Sequence, residues 1–260
     1  MNQVAERYFG VWKRSLIQYR SGRSDSETAV YWLQTPRLFA DLRIPSISLP
    51  SLALEDLSHS QQLALCEQQG FAGVTQVDED ICQWHRKLDY QPVNDEEDIG
   101  RMHFETSERL VETALDESYY EIWERLPDSL GSCRGQWLKA VDEPSHQGCL
   151  LLAGDYFIFA ASRPTPITPG THLREQFGEP ENSFNPASLL ACELSFGRHN
   201  AGETPWKIEC STLPAKTGQF LLPSSVDPFA PAIFANETVM SSLGTYSPAG
   251  GWRCAPDPQW

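Results

Sequence analysis

Residues whose types could carry chemistry are few, and they are scattered. His85 sits beside Arg86 in "ICQWHRKLDY", and Glu112 sits between Val111 and Thr113 in "LVETAL". A histidine titrates near neutrality and suits a general base or a haem ligand. The plainer reading of His85 is an exposed or hydrogen-bonded side chain. If the segment is a strand, Trp84, Arg86, Leu88 and Tyr90 share one face and His85, Lys87 and Asp89 the other. The first set is the more apolar and is the one expected to face inward. Glu112 shares a face with Leu110 and Ala114, so its carboxylate needs a partner if that face is buried. Arg14 or Arg125 is expected to supply one, either as a structural ion pair or as part of a ligand anchor. His103 shares a face with Arg101 and Glu105 and reads as solvent-facing.

Motifs with a fixed mechanism are absent. The sequence has no GxSxG, HExxH, phosphate-binding loop or GxGxxG. The seven cysteines form no CxxC pair, and the six histidines show no metal-ligand spacing. No metal and no cofactor are expected. The formal net charge of −15 disfavours nucleic acid and anionic membrane surfaces as partners. No stretch is long and apolar enough for a membrane-spanning helix, and the N-terminus lacks a signal-peptide pattern. A cytoplasmic location is the expectation.

The elements that must position these residues read as short strands. "TAVYWLQ" and "RLFADLRI" flank a Thr-Pro turn, and in the second run Leu38, Ala40, Leu42 and Ile44 alternate with charged or aromatic residues. On that alternation Trp12, Arg14 and Leu16 face inward, followed by Trp32 and Gln34, then Leu38, Ala40 and Leu42. "FAGVTQV", "GRMHFE", "LVETALD" and "YYEIWERL" continue the meander. A helix is expected over about 53–69 with Gly70 as its C-cap. Later strands are expected at "RGQWLKAV", "GCLLLAG", "YFIFAASR", "SLLACELSF", "WKIECSTL", "GQFLL", "ETVMSSLGTY" and "GWRCA", with one short helix around "HLREQFG". Leu150, Leu152, Phe157, Phe159, Leu190 and Leu222 are the expected interior of this half.

The halves repeat. "YFGVWKRSL" is echoed by "YYEIWERL", "LQTPRLFADLRIP" by "LAGDYFIFAASRP", "QWHRKLDYQP" by "PWKIECSTLP", and "GRMHF" by "GQFLL". A duplication follows, with units at 1–118 and 119–260. The expected fold class is all-β, mainly antiparallel: tandem up-and-down barrels with one helix per half.

The "GVW" at 10–12, opening the first strand, resembles the G-x-W signature of lipocalins and the wider calycin group. That resemblance implies a tryptophan at the closed base of a barrel with an arginine stacked on it. Trp12 and Trp123 are the base candidates, and Arg14 or Arg125 the stacking partner. Glu121 replaces the signature glycine in the second copy. With "VYWLQTPRLFADLRIP", "GFAG", "WHRKLDYQP" and "YYEIWERL", the whole chain resembles uncharacterised bacterial proteins with two lipocalin-like barrels. The resemblance implies a fold and little function.

Three functions remain open. The first is a binding protein for a small apolar or amphipathic ligand inside a barrel, anchored by Arg14, Gln34, Trp84, Arg86, Glu112 and Arg125. The second is a lyase or isomerase, as the calycin resemblance allows, if His85, Glu112, Arg14 and Arg86 share a cavity. The third is an interaction module with filled barrels. Eight Trp, twelve Phe and eight Tyr suit an apolar pocket and a filled core equally.

Overall fold

The computed structural model describes residues 4–93, 97–143, 145–164, 167–178, 185–200, 205–223 and 251–259. A first run of strands comprises β1 (Gly10–Tyr19), β2 (Ser24–Asp25), β3 (Ala29–Gln34), β4 (Leu38–Ile44), β5 (Gln69–Asp78), β6 (Ile81–Asp89), β7 (Ile99–Phe104), β8 (Arg109–Ala114) and β9 (Tyr119–Arg125). All pairings are antiparallel, from β3 to β9 each strand pairs with the next, and β1 pairs with β3, with β9 and, at its far end, with the short β2. Eight strands therefore close into a barrel, and closure leaves no long unpaired edge.

The closing strand β9 is the one expected to open a second unit. The boundary expected between residues 118 and 119 therefore falls inside a closed sheet. The echo of "YFGVWKRSL" in "YYEIWERL" has another physical cause. The two strands are antiparallel neighbours, with Trp12 opposite Arg125, Lys13 opposite Glu124 and Arg14 opposite Trp123. A Trp-x-Arg run paired with a reversed Trp-x-Arg run sets each indole against the other strand's guanidinium, and a Lys against a Glu.

The second half contains β10 (Cys133–Ala140), β11 (Gln147–Ala153), β12 (Tyr156–Ala161), β13 (Glu193–Arg198), β14 (Lys207–Ser211) and β15 (Trp252–Ala255). They form one sheet in the order β14-β13-β12-β11-β10-β15, open at both ends among the described residues. Phe220 makes an isolated bridge to Lys207 in the "GQFLL" segment. The strand expected at "ETVMSSLGTY" lies outside the described residues.

The helical elements are shorter than expected. A single turn at Leu54–Asp56 precedes α1 (His59–Leu65), and Ser58 and Gln61 form a reciprocal capping box that starts α1. The helix expected over 53–69 is therefore two pieces. Gly70 belongs to β5, where a Cβ would come within 2.9 Å of the Leu194 side chain. Its role is close packing, not capping. The second half holds α2 (Leu173–Gly178), at the expected place, and also α3 (Pro186–Leu190), which Asn185 caps.

The largest core lies between the barrel wall and the open sheet. Val11, Leu33, Leu38, Ala40, Leu42, Ala72 and Val74 from the barrel pack on Trp137, Cys149, Leu151, Ile158, Leu194 and Phe196. This overturns the inward placement of Leu38, Ala40 and Leu42. Trp32 lies directly opposite Asp41, and it is Phe39 that packs with Trp12 and Trp32 inside the barrel. The alternation in "RLFADLRI" is real, but its apolar set faces the second sheet. A barrel wall buried on both sides has no solvent face to mark the outside.

Leu150, Leu152, Phe157, Phe159 and Leu222 do form a separate cluster on the far face of the second sheet, joined by Trp206 and Trp252. Leu190 packs in the core between the halves instead. Glu193, Ser195 and Ser211 add a buried polar group to the second sheet, Ser195 Oγ donating to Glu193 at 2.9 Å.

Arg163 ties the halves together. Its buried guanidinium donates to the carbonyls of Asp89, Tyr90 and Leu189. Substituting Arg163→Met is expected to lower unfolding free energy by about 3 kcal/mol, because two buried carbonyls and one partly buried carbonyl lose a charged donor. Urea denaturation checks this, and an unchanged midpoint would remove the clamp from the account.

Candidate functional site

The barrel interior is layered. At the closed end, Trp12 Nε1 donates to the Tyr8 carbonyl at 2.9 Å, and Tyr8 packs edge-on against Phe104. The Arg125 guanidinium lies 4.1 Å above the Trp12 ring and donates to the carbonyls of Arg7, Phe9 and Ser107. Gly10 is needed here: its φ is +113°, and a Cβ would meet Ser129 Oγ at 2.9 Å. Of the two candidates for the stacking arginine, Arg125 takes the place and Arg14 does not.

Gln34 is also at this end. It is fully buried, donates to the Thr35 carbonyl and accepts from Thr75 Oγ1 at 2.8 Å. With those bonds made it holds the β3–β4 turn to β5, away from the open end.

Above the base stand three more tryptophans. Trp32 stacks near Trp12 and takes Trp84 and Trp123 edge-on at 5.6 and 5.9 Å. Trp123, expected at the base of a second barrel, is thus in the wall of the first. It lies on β9, two pairing steps along from the Arg125 that caps Trp12.

The open half of the barrel is charged. Arg14 Nη1 meets Glu121 at 2.6 Å, and Arg14 Nη2 meets Asp25 at 3.1 Å. Arg43 holds both oxygens of Asp41, at 2.8 and 3.2 Å, and reaches Glu121 at 3.8 Å. Arg86 bridges Asp98 at 2.8 Å and Asp89 at 3.2 Å, with its guanidinium 3.6 Å over the Phe71 ring.

Glu112 is inside, as its apolar neighbours imply, but neither Arg14 nor Arg125 pairs with it. Glu121 lies directly opposite Glu112 across β8 and β9 and takes Arg14, while Arg125 is committed to the base. Glu112 instead accepts from Trp123 Nε1 at 3.2 Å. Burial pushes its carboxyl well above the usual range, and the charges of Glu121 and Asp98 push the same way.

Bulges decide which side chains enter. The β1–β9 register shifts between Arg14 and Leu16, so the inward set passes from Arg14 to Ile17, opposite Glu121, and not to Leu16. The β5–β6 register shifts at Ala72, so Trp84 and Arg86 face in while Leu88 and Tyr90 join the core between the halves. Half of the expected inward set on this strand is therefore corrected. His85 pairs with Val74 on the outer face and meets Gln76 at 3.3 Å. It and Glu112 lie on opposite sides of the barrel wall. The quartet that the enzyme reading required is not assembled.

Sequence reasoning placed Trp32 inward without naming it an anchor, and missed Asp41, Arg43, Asp98 and Glu121 as members of the cluster. One signal was present: Asp41 and Arg43 are opposite charges two residues apart on a strand, hence on one face.

The space left among Trp32, Asp41, Arg43, Trp84, Glu112 and Trp123 is only about 10 Å³, room for about one water molecule. Larger spaces open outside it. A cleft of about 270 Å³ is lined by Trp84, His85, Arg86, Val93 and Asp98. A second of about 380 Å³, between the barrel and the segment before α2, is lined by Gln69, Arg86, Asp89, Gln91 and His172. Trp84 and Asp98 border both the inner cavity and the first cleft, and Arg86 and Asp89 border both clefts.

Two measurements test this electrostatic account. Because the Glu112 pKa is raised on folding, its contribution is full below about pH 4.5 and is lost as pH rises toward its folded value. Glu112→Gln is therefore expected to be more stable than the parent by more than about 1 kcal/mol at pH 8, with a smaller difference at pH 5. Chemical denaturation at the two pH values reads this; an equal difference at both would refute the raised pKa. Separately, Arg14→Met leaves Glu121 buried without its main partner and is expected to cost about 3–5 kcal/mol. The double variant Arg14→Met/Glu121→Leu should recover most of that loss, and no recovery would mean the pair is not the source.

No protein-family model matches the sequence, and no curated protein matches it. The fold is similar to the crystal structure of the uncharacterised protein YLR301w from Saccharomyces cerevisiae. The TM-score is 0.57 and the sequence identity 12%, with 96% of this chain and 99% of the yeast chain covered. The likeness is one of fold alone.

Proposed function

We propose that this chain binds a small amphipathic molecule at the open end of its barrel. The observation that carries the reading is the charged, aromatic-walled interior that ends at two clefts. Taking Arg14, Asp41, Arg43, Glu112 and Glu121 out of water costs free energy, and well-packed hydrophobic residues would stabilise a merely structural barrel better. Buried, perturbed charges beside a cleft are a mark of a binding site. The ligand sits higher than an interior site would place it, because the cavity holds little more than a water while the clefts are small-molecule sized. Trp84 walls the site, Arg86 gates it and Glu112 lies at its floor. Arg14 and Arg125 shape the barrel from within, and Gln34 secures its closed end.

The finer fold reading is also ours: a cytoplasmic, duplicated, lipocalin-like chain whose second unit is a scaffold. In support, β15-β10-β11-β12-β13-β14 repeats the order β9-β1-β3-β4-β5-β6, with helices after the second hairpin strand in each half. Arg125 over Trp12 is the stacking that the G-x-W resemblance implies.

Native mass spectrometry of protein purified gently from its own host tests the ligand. A discrete added mass, lost on denaturation and absent from Arg86→Ala but present in Gln34→Ala variants, is the expected result. A clean apo mass together with no saturable fluorescence change on adding micromolar amphipathic probes would sink the reading.

A further inference from the structure

Trp32 is 2% exposed, and its indole Nε1 is buried without a hydrogen-bond partner among the described residues. It lines the small inner cavity with Asp41, Arg43, Asp98 and Glu112. Three neighbouring donors have partners of their own. Trp123 Nε1 bonds Glu112, Trp12 Nε1 bonds the Tyr8 carbonyl, and Arg43 holds Asp41 with two nitrogens. A buried N–H left unpaired is destabilising, so the geometry asks for an acceptor.

The chemistry of that acceptor is narrow. An indole N–H is a donor only, so an ammonium group, which cannot accept, does not satisfy it. A carboxylate could accept, but it would add another anion beside Asp41 and Asp98. A hydroxyl oxygen accepts from Trp32 and donates its own proton to one of the lining carboxyl groups. The size agrees, since the cavity has room for about one oxygen.

We propose that this cavity is a binding site for a single hydroxyl oxygen, a water in the free protein and the alcohol group of an amphipathic ligand in the complex. The second half of this statement rests on the ligand reading above. It names the ligand class as alcohols and sets acids and amines aside. Trp32 is then the specificity-determining residue, and it lies one ring away from Trp84 in the cleft wall.

Indole-labelled protein allows a test by nuclear magnetic resonance, with the Trp32 signal assigned by its loss in Trp32→Phe. In the free protein the Trp32 indole proton should show magnetisation transfer from a bound water. Its absence would overturn the oxygen site. The protein is then titrated with 1-octanol, octylamine and octanoate at pH 7. Octanol should bind at least about fivefold more tightly than the other two, shift the Trp32 indole signal, and lose about fivefold in affinity in Trp32→Phe. Octylamine or octanoate binding as tightly as octanol would overturn the hydroxyl assignment. If none of the three binds, the alcohol half of this inference falls, while the water transfer still decides the oxygen site and the native mass of the purified protein still decides the ligand reading. Should Trp32→Phe fail to fold, the signal is assigned in the parent protein from its nuclear Overhauser contacts to the Trp84 and Trp123 rings, and the octanol-induced shift then decides alone.

Discussion

The pairing of β9 with β1 is the contact on which the rest of the structure depends. It joins segments more than a hundred residues apart and turns a meander into a barrel. It also creates the interior chemistry. Arg125 reaches Trp12 only because the strands are antiparallel neighbours, and the same register sets Glu121 beside Arg14. Each of these groups would be an isolated buried charge or an unsupported ring without the other strand. Closure is therefore both the topological step and the electrostatic one.

A second constraint acts from outside. The wall formed by β1, β3, β4 and β5 is covered by the second sheet, so small and aliphatic side chains occupy its outer face as densely as they would a core. The interior is then free to hold what the outer face cannot. Tryptophans fill the lower part and ion pairs the upper part. The interior is thus more polar than the wall around it, the reverse of a simple hydrophobic barrel. The shared core also explains why Arg163 crosses between halves: the end of β6 and helix α3 meet there and leave carbonyls that need a donor.

The charge count inside the barrel gives the open end its character. Glu112 and Glu121 stand side by side, and the guanidinium nearest Glu121 satisfies that residue first. Glu112 is left with an indole N–H and a carboxyl pKa raised by burial, beside the Asp41–Arg43 ion pair. Trp32, Trp84 and Trp123 wall this mixture of hydrogen-bonding and charged groups. The clefts above are both bordered by Arg86.

Much of this could be read from the sequence, because local patterns are physical. The hairpins, the short second-half helix at Leu173–Gly178 and the burial of Glu112 follow from period-two alternation, turn residues and neighbouring apolar side chains. The matching Trp-x-Arg runs were legible as well, but not their meaning, since a repeat and a self-complementary pair look alike in one dimension. What only tertiary structure decided was which face was which. Leu38, Ala40 and Leu42 went outward because a second sheet buries them, and Leu88 went outward because a bulge shifts β6. Ion-pair partners were likewise settled by register across strands: Arg14 chose Glu121, not Glu112, and His85 was separated from both by the barrel wall. Side-chain type and spacing depend on the chain alone, whereas facing and partnership depend on what the rest of the fold brings alongside.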